Sequence, residues 1–194
     1  YFVGQFGELA TAGYGTSVRL EQVLLLPVIG LNTAVISIAG QNYGAKNYDR
    51  VRETYTTSMI FGFVFMTLAG VFIYFTAHFF MSKFTDDLEV IAAGVYYLQV
   101  AAFIGPIYPT FFITSALFQA LKKPIFSLYM TIMRLTLLPF LSLYYVINIK
   151  GGEFQDIFKT ILVTNWGMGI LVLIFVTFYL KRHLNMPLRK LFFL

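Results

Sequence analysis

Residues 54–82 read TYTTSMIFGFVFMTLAGVFIYFTAHFFMS, a run without one Asp, Glu, Lys or Arg. A helix needs roughly 20 mostly apolar residues to cross the hydrocarbon of a bilayer, so this run can span it unaided. Three more uncharged runs reach or exceed that length: Gln22 to Ala45, Val90 to Leu121 and Thr160 to Leu180. Composition agrees, with 58% hydrophobic and 12% charged residues and a mean hydropathy of +0.74. Soluble domains carry roughly 25% charge to cover a wet surface. The runs lack the alternation of apolar and polar residues that a membrane barrel shows. The chain is therefore expected to be an all-α integral membrane protein.

Five spans follow from the runs and the charges beside them: about residues 16–40, 54–79, 94–120, 125–149 and 157–180. Residues 1–15 are short and rich in glycine, and read as the end of an upstream helix followed by an outer turn. The chain opens Tyr1-Phe2-Val3 without a methionine or a secretory signal pattern, which reads as a fragment beginning inside a longer protein.

Lysine and arginine orient the spans. Nine of the 14 fall in residues 41–53, residues 121–124 and the tail from residue 181: Lys46, Arg50, Arg52, Lys122, Lys123, Lys181, Arg182, Arg189 and Lys190. Lys83, Lys150 and Lys159 lie in the opposite connections, and Arg19 and Arg134 lie inside spans. By the positive-inside rule the richer side is cytoplasmic, with Tyr1 outside and Leu194 inside.

Prolines interrupt three spans, at Pro27, at Pro106 and Pro109, and at Pro139. Each removes a backbone hydrogen bond, and a kink is expected at each. At about 100° per residue, Ser17, Glu21, Val28 and Asn32 share one face of the first span. By the same spacing Gln99, Pro106 and Thr110 align in the third, and Ser127, Arg134, Leu141 and Tyr145 in the fourth. Polar groups are costly in hydrocarbon, about 3 kcal/mol for a charge at mid-span, and face a bundle interior or an aqueous cavity. Asn32, Gln99, Thr110 and Asn165 suit either interhelical hydrogen bonding or a cavity wall. Glu21 and Arg134 are the charges at issue, at depths that permit them to pair.

Several chemistries are not expected. Without cysteine there is no disulfide, thiolate zinc site or cysteine nucleophile. His78 and His183 lie at opposite ends of the bundle with no carboxylate at ligand spacing, so neither a metal site nor a catalytic residue is assigned. No GxxxxGK loop occurs, so energy for transport would come from an ion gradient. The pI near 9.4 reflects loop charges rather than a basic stripe, and no nucleic-acid partner is expected. Tyr96, Tyr97, Tyr144, Tyr145 and Tyr179 fit interfacial anchors.

Residues 12–53, AGYGTSVRLEQVLLLPVIGLNTAVISIAGQNYGAKNYDRVRE, resemble the start of the C-terminal half of the multidrug and toxic compound extrusion (MATE) family. The matching residues are Arg19, Glu21 and Gln22, then Leu26 and Pro27, then Gly40 to Ala45 with Asp49 and Arg50. Phe84 to Asp87 with Glu89, and Met133-Arg134 with Pro139, extend the likeness over nearly the whole chain. The family implies twelve helices in two six-helix lobes around a central cavity. The five spans here would be helices eight to twelve, residues 1–15 the end of helix seven, and residues 181–194 a cytoplasmic tail.

The resemblance further implies a multi-pass protein of the plasma membrane that exchanges Na+ or H+ for amphipathic, often cationic, compounds, without another cofactor. It also implies an N-terminal lobe as the partner across the cavity, with the lipid bilayer around both. Some family branches carry a coupling carboxylate in helix ten, but Val90 to Leu121 has none. The coupling acid is then Glu21 or lies in the missing half. Asn32, Gln99 and Arg134 join Glu21 as cavity or ion-coupling residues. The loop motif, with Gln41, Gly44, Ala45 and Arg50, reads as a structural hinge: Gly44 permits a tight turn, and Lys46, Arg50 and Arg52 hold the loop at the anionic inner leaflet. Two rivals remain, a lipid-linked saccharide flippase of the same superfamily and a membrane scaffold that transports nothing. The flippase calls for several basic residues in the cavity, and the scaffold needs no charge within a span.

Overall fold

A computed structural model describes residues 2–184, and Tyr1, Arg189 and Lys190 lie outside the described residues. Every regular element within that range is helical. After a 3-10 turn at Val3–Phe6 come α1 (Glu8–Gly44), α2 (Tyr48–Met81), α3 (Leu88–Ile104), α4 (Tyr108–Ala120), α5 (Pro124–Ile132), α6 (Leu138–Leu143) and α7 (Phe154–Leu184). α3 and α4 join through the 3-10 turn Gly105–Ile107 into a third span, Leu88–Ala120. α5 and α6, with π turns at Met133–Leu137 and Tyr144–Ile149, form the fourth, Pro124–Ile149. Among the described residues five helical spans are long and apolar enough to cross a membrane, the shortest having 26 residues. At 1.5 Å per residue that is about 39 Å of α-helix, more than the hydrocarbon thickness of about 30 Å.

The first span begins earlier than its sequence suggests. Glu8 to Gly15 are already helical, not a turn after an upstream helix. Their glycines serve packing: a Cβ on Gly13 would stand 2.5 Å from the Val90 carbonyl oxygen, so only glycine lets α1 lie this close to α3. The hydroxyl of Ser17 sits at the same crossing, 2.8 Å from the Gly13 carbonyl and 3.0 Å from that of Gly94. Gly70 does the same for α2, where a Cβ would fall 2.5 Å from the Ala102 carbonyl oxygen. Lipid tails are as apolar as leucine, so membrane helices associate through such close packing and through buried hydrogen bonds. Tyr55 and Thr114 make one of those bonds at 3.0 Å, and the indole of Trp166 donates another to the Phe103 carbonyl at 2.9 Å.

The prolines act unequally. α1 runs unbroken through Pro27, whereas Pro106 sits in the 3-10 turn that divides the third span. Pro139 lies in the short α6, between two π turns. A π turn takes more residues than an α turn, so every side chain beyond it is rotated around the axis. The expected line on the fourth span therefore fails halfway. Ser127 and Arg134 face inward, but Leu141 and Tyr145 are 54% and 49% exposed. The buried positions shift to Leu143 and Ile147.

Two connections on one end of the bundle share a design. At the end of α1 the Asn47 amide donates to the Asn42 carbonyl at 2.8 Å and the Lys46 amide to that of Tyr43 at 3.0 Å. At the end of α4, Lys123 donates to Phe118 at 2.8 Å and Lys122 to Gln119 at 3.0 Å. Both are Schellman caps, which place one residue in the left-handed region. That residue is a lysine in each, Lys46 and Lys122, both at φ 59°. The hinge expected at Gly44 is thus displaced: Gly44 is the last residue of α1, and the positive φ belongs to Lys46. Asn47 then caps α2 by accepting from the Arg50 amide, and Asp87 caps α3 by accepting from Glu89 and Val90.

Candidate functional site

α1 delivers Glu21 to the contact with the third span, where it is 9% exposed. Two phenols meet it there: Tyr97 of α3 donates a short hydrogen bond to Oε2, and Tyr108 of α4 donates to Oε1 at 2.8 Å. Two O–H donors suit an acceptor-only carboxylate. Tyr97 is 7% exposed and holds a charge inside the bundle, so the anchor role expected of it does not apply. Tyr179 is likewise buried, while Tyr144 and Tyr145 are exposed. The tyrosine pair was findable in the sequence, because Tyr97 and Tyr108 stand about three turns apart on the third span, the spacing that aligns Ser17 with Val28. The position of Tyr97 near a span end obscured it.

Arg134 approaches Tyr108 from the other side. The π turn Met133–Leu137 carries it, and its guanidinium lies 4.7 Å from the ring centre of Tyr108, 4.0 Å from that of Phe111 and 5.9 Å from that of Phe112. Nε donates to Oδ1 of the buried Asn165 at 3.2 Å, and the Asn165 amide in turn donates to the Ile161 carbonyl at 2.9 Å. No carboxylate lies within ion-pairing distance of Arg134 among the described residues. Glu21 and Arg134 are therefore not in direct contact but are linked through Tyr108, which donates its hydroxyl to the acid and also engages the base.

Arg134 and Tyr108 line a cavity of about 310 Å³ between the first, third and fourth spans, together with Asn32, Phe111, Phe112 and Ser115. Asn32 is both wall and tie, since its amide donates to the Phe112 carbonyl at 2.7 Å. Gln99 is half-buried on α3 and does not line this cavity. Glu21 sits behind Tyr108 rather than on the cavity surface. The loop residues Gln41, Gly44, Ala45 and Arg50 are remote from it: Gln41 approaches Ser37 at 3.5 Å, and Arg50 pairs with Glu53 at 3.0 Å on the exposed start of α2.

The family model described as MatE matches residues 1–146, which include the acid, both tyrosines and the arginine. The chain belongs to the MatE family. An FAD transporter of Shewanella oneidensis is 30% identical over 184 residues, 93% of this chain and 38% of that protein. A probable multidrug resistance protein of Bacillus subtilis is 27% identical over 118 residues, 61% of this chain and 26% of that protein. Among solved structures, an outward-facing multidrug resistance MATE transporter superposes with a TM-score of 0.88 at 20% identity, over 96% of this chain and 41% of that one. The chain thus spans about two fifths of the FAD transporter and of that solved structure, and about a quarter of the multidrug resistance protein. The characteristic residues of this MatE chain divide by physics. Arg19 and Gln22 are exposed beside the buried Glu21, and Asp87 is a helix cap.

Proposed function

We propose that the chain forms the C-terminal lobe of a secondary transporter of the plasma membrane, exporting small amphipathic compounds in exchange for Na+ or H+. The observation that carries this reading is a buried acid linked through one tyrosine to a base on a cavity wall, inside a helical bundle. An intramembrane charge is expensive to keep and marks a transport path more often than a strut. Glu21 is the ion-responsive group of this lobe: binding of H+ or Na+ at its oxygens competes with the phenol bonds, loosening α1 from the third span. The N-terminus of the chain lies outside and the connections at Lys46 and Lys122 lie in the cytoplasm. An N-terminal lobe of the same polypeptide supplies the facing wall.

The cargoes named for the relatives differ, FAD in one and drugs in others, so the family alone leaves the charge of the cargo open. A flippase for lipid-linked saccharides is disfavoured because Arg134 is the one basic residue among those lining the cavity. A scaffold is disfavoured because it has no use for Glu21 and Arg134.

The test is reconstitution of the full-length parent into vesicles with a fluorescent amphipathic dye. Dye movement should follow an imposed Na+ or H+ gradient and stop when an ionophore collapses it. Flux indifferent to both gradients, or equal flux from these 194 residues alone, would overturn the assignment to half of an ion-coupled carrier.

A further inference from the structure

The wall of the cavity carries charge of one sign. Arg134 lines it, with Tyr108, Phe111, Phe112, Asn32 and Ser115, and no carboxylate is among its lining residues. Glu21 acts on Arg134 from a distance but is absent from that lining, with both its oxygens occupied by phenol donors. Arg134 itself is held by two constraints, the Nε bond to Asn165 and a guanidinium 4.0 Å from the centre of the Phe111 ring. Tyr108 engages the same side chain, and Arg134 makes no ion pair among the described residues. A fixed, planar guanidinium on a cavity wall, without an ion-pair partner, matches the two oxygens of a carboxylate, sulfonate or phosphate.

Resting on the transport reading above, we infer that the cargo gripped by this lobe is an organic anion with a flat apolar body, and that Arg134 holds the anionic group. Phe111 and Phe112 surround the charge with apolar surface on the cavity wall. A cationic compound of the kind the family resemblance implies would meet Arg134 at close range with no carboxylate on this wall to receive it. In a water-poor cavity both the attraction for an anion and the repulsion of a cation are stronger than at a surface. The volume of about 310 Å³ is at the small end for a ligand site, consistent with a lobe that contributes one wall and accepts one end of the molecule.

Two dyes with the same ring system and opposite charge provide the test: carboxyfluorescein, an anion, and rhodamine 6G, a cation. Their binding to the detergent-solubilised full-length parent is read by fluorescence anisotropy. The wild type should bind carboxyfluorescein the more tightly. Arg134→Gln should weaken that binding by about tenfold to a hundredfold, the range for a lost charge-assisted hydrogen bond, and leave or improve binding of rhodamine 6G. Arg134→Lys, which keeps the charge and loses the fork, should fall between. Should Arg134→Gln not fold, Ser115→Asp places a carboxylate on the same wall and should reverse the preference between the dyes. Preference of the wild type for rhodamine 6G, binding of neither dye, anion affinity unchanged in Arg134→Gln, or unchanged preference in Ser115→Asp would each overturn the inference. Binding is read without any gradient, so a failure of gradient-driven flux counts against the transport reading and not against the sign of the cargo.

Discussion

Tyr108 serves two charges at once, with its hydroxyl 2.8 Å from Glu21 and its ring 4.7 Å from the guanidinium of Arg134. Tyr108→Phe separates the two roles, because it keeps the ring and deletes the donor. Removing one partner of a buried, charged hydrogen bond costs about 1–3 kcal/mol, so the full-length parent should unfold at lower temperature in detergent by a corresponding amount. A double-mutant cycle with Glu21→Gln should show a coupling of similar size, because the two changes remove the same bond. The cycle between Glu21→Gln and Arg134→Gln should show a smaller coupling, since Tyr108 stands between those charges. A larger coupling for acid and arginine than for acid and tyrosine would restore the direct pair and discard the link through Tyr108.

Helix contacts make sharper demands than helix formation. Gly70→Ala adds a methyl that would stand 2.5 Å from the Ala102 carbonyl oxygen, so α2 must move off the third span at a cost of about 1–3 kcal/mol. Gly30→Ala, on a face of α1 with nothing within 4 Å, should instead be neutral or stabilising by up to about 1 kcal/mol. Lys46→Gly should stabilise modestly, since an L-residue in the left-handed region costs about 1–2 kcal/mol, part of which glycine gives back through its freer unfolded chain. Thermal unfolding of the three variants checks all of this, and equal effects for the two alanines would remove the packing account of Gly70.

Span existence was legible because it rests on uncharged length, and the runs at residues 54–82 and 90–121 became α2 and the third span almost unchanged. Details that depend on neighbours were not. The glycines of residues 1–15 suggest a turn in sequence, although Gly13 is there because α3 is close. The projection of the fourth span assumed a constant angle per residue, which the π turn at Met133–Leu137 breaks. Glu21 and Arg134 were recognisable as charges within spans by type and depth. Their partners were not, because a phenol reads the same in sequence whether it faces headgroups, lipid or a carboxylate.

At the scale of the molecule, the five spans alternate, so the connections at Lys46 and Lys122 share one end and those at Asp86 and Gly151 the other. Single cysteines at these four positions, in a parent otherwise free of cysteine, should react with an impermeant thiol reagent on whole cells only at 86 and 151. Labelling of 46 and 122 with protection of the other two would invert the orientation. On the transport reading proposed above, the isolated chain should not transport, because a second lobe would supply the facing wall of the cavity between α1, α4 and α5. The transport reading proposed above requires this cavity to open to each side of the membrane in turn, under control of an ion gradient. Its most direct test is a single cysteine at Ser115, on the cavity wall, in full-length protein reconstituted with one orientation. The account predicts labelling from both sides, with the outer rate rising and the inner rate falling, or the reverse, when the Na+ or H+ gradient is imposed, and Glu21→Gln abolishing that response. Labelling from one side alone, at a rate that no gradient changes, would contradict it.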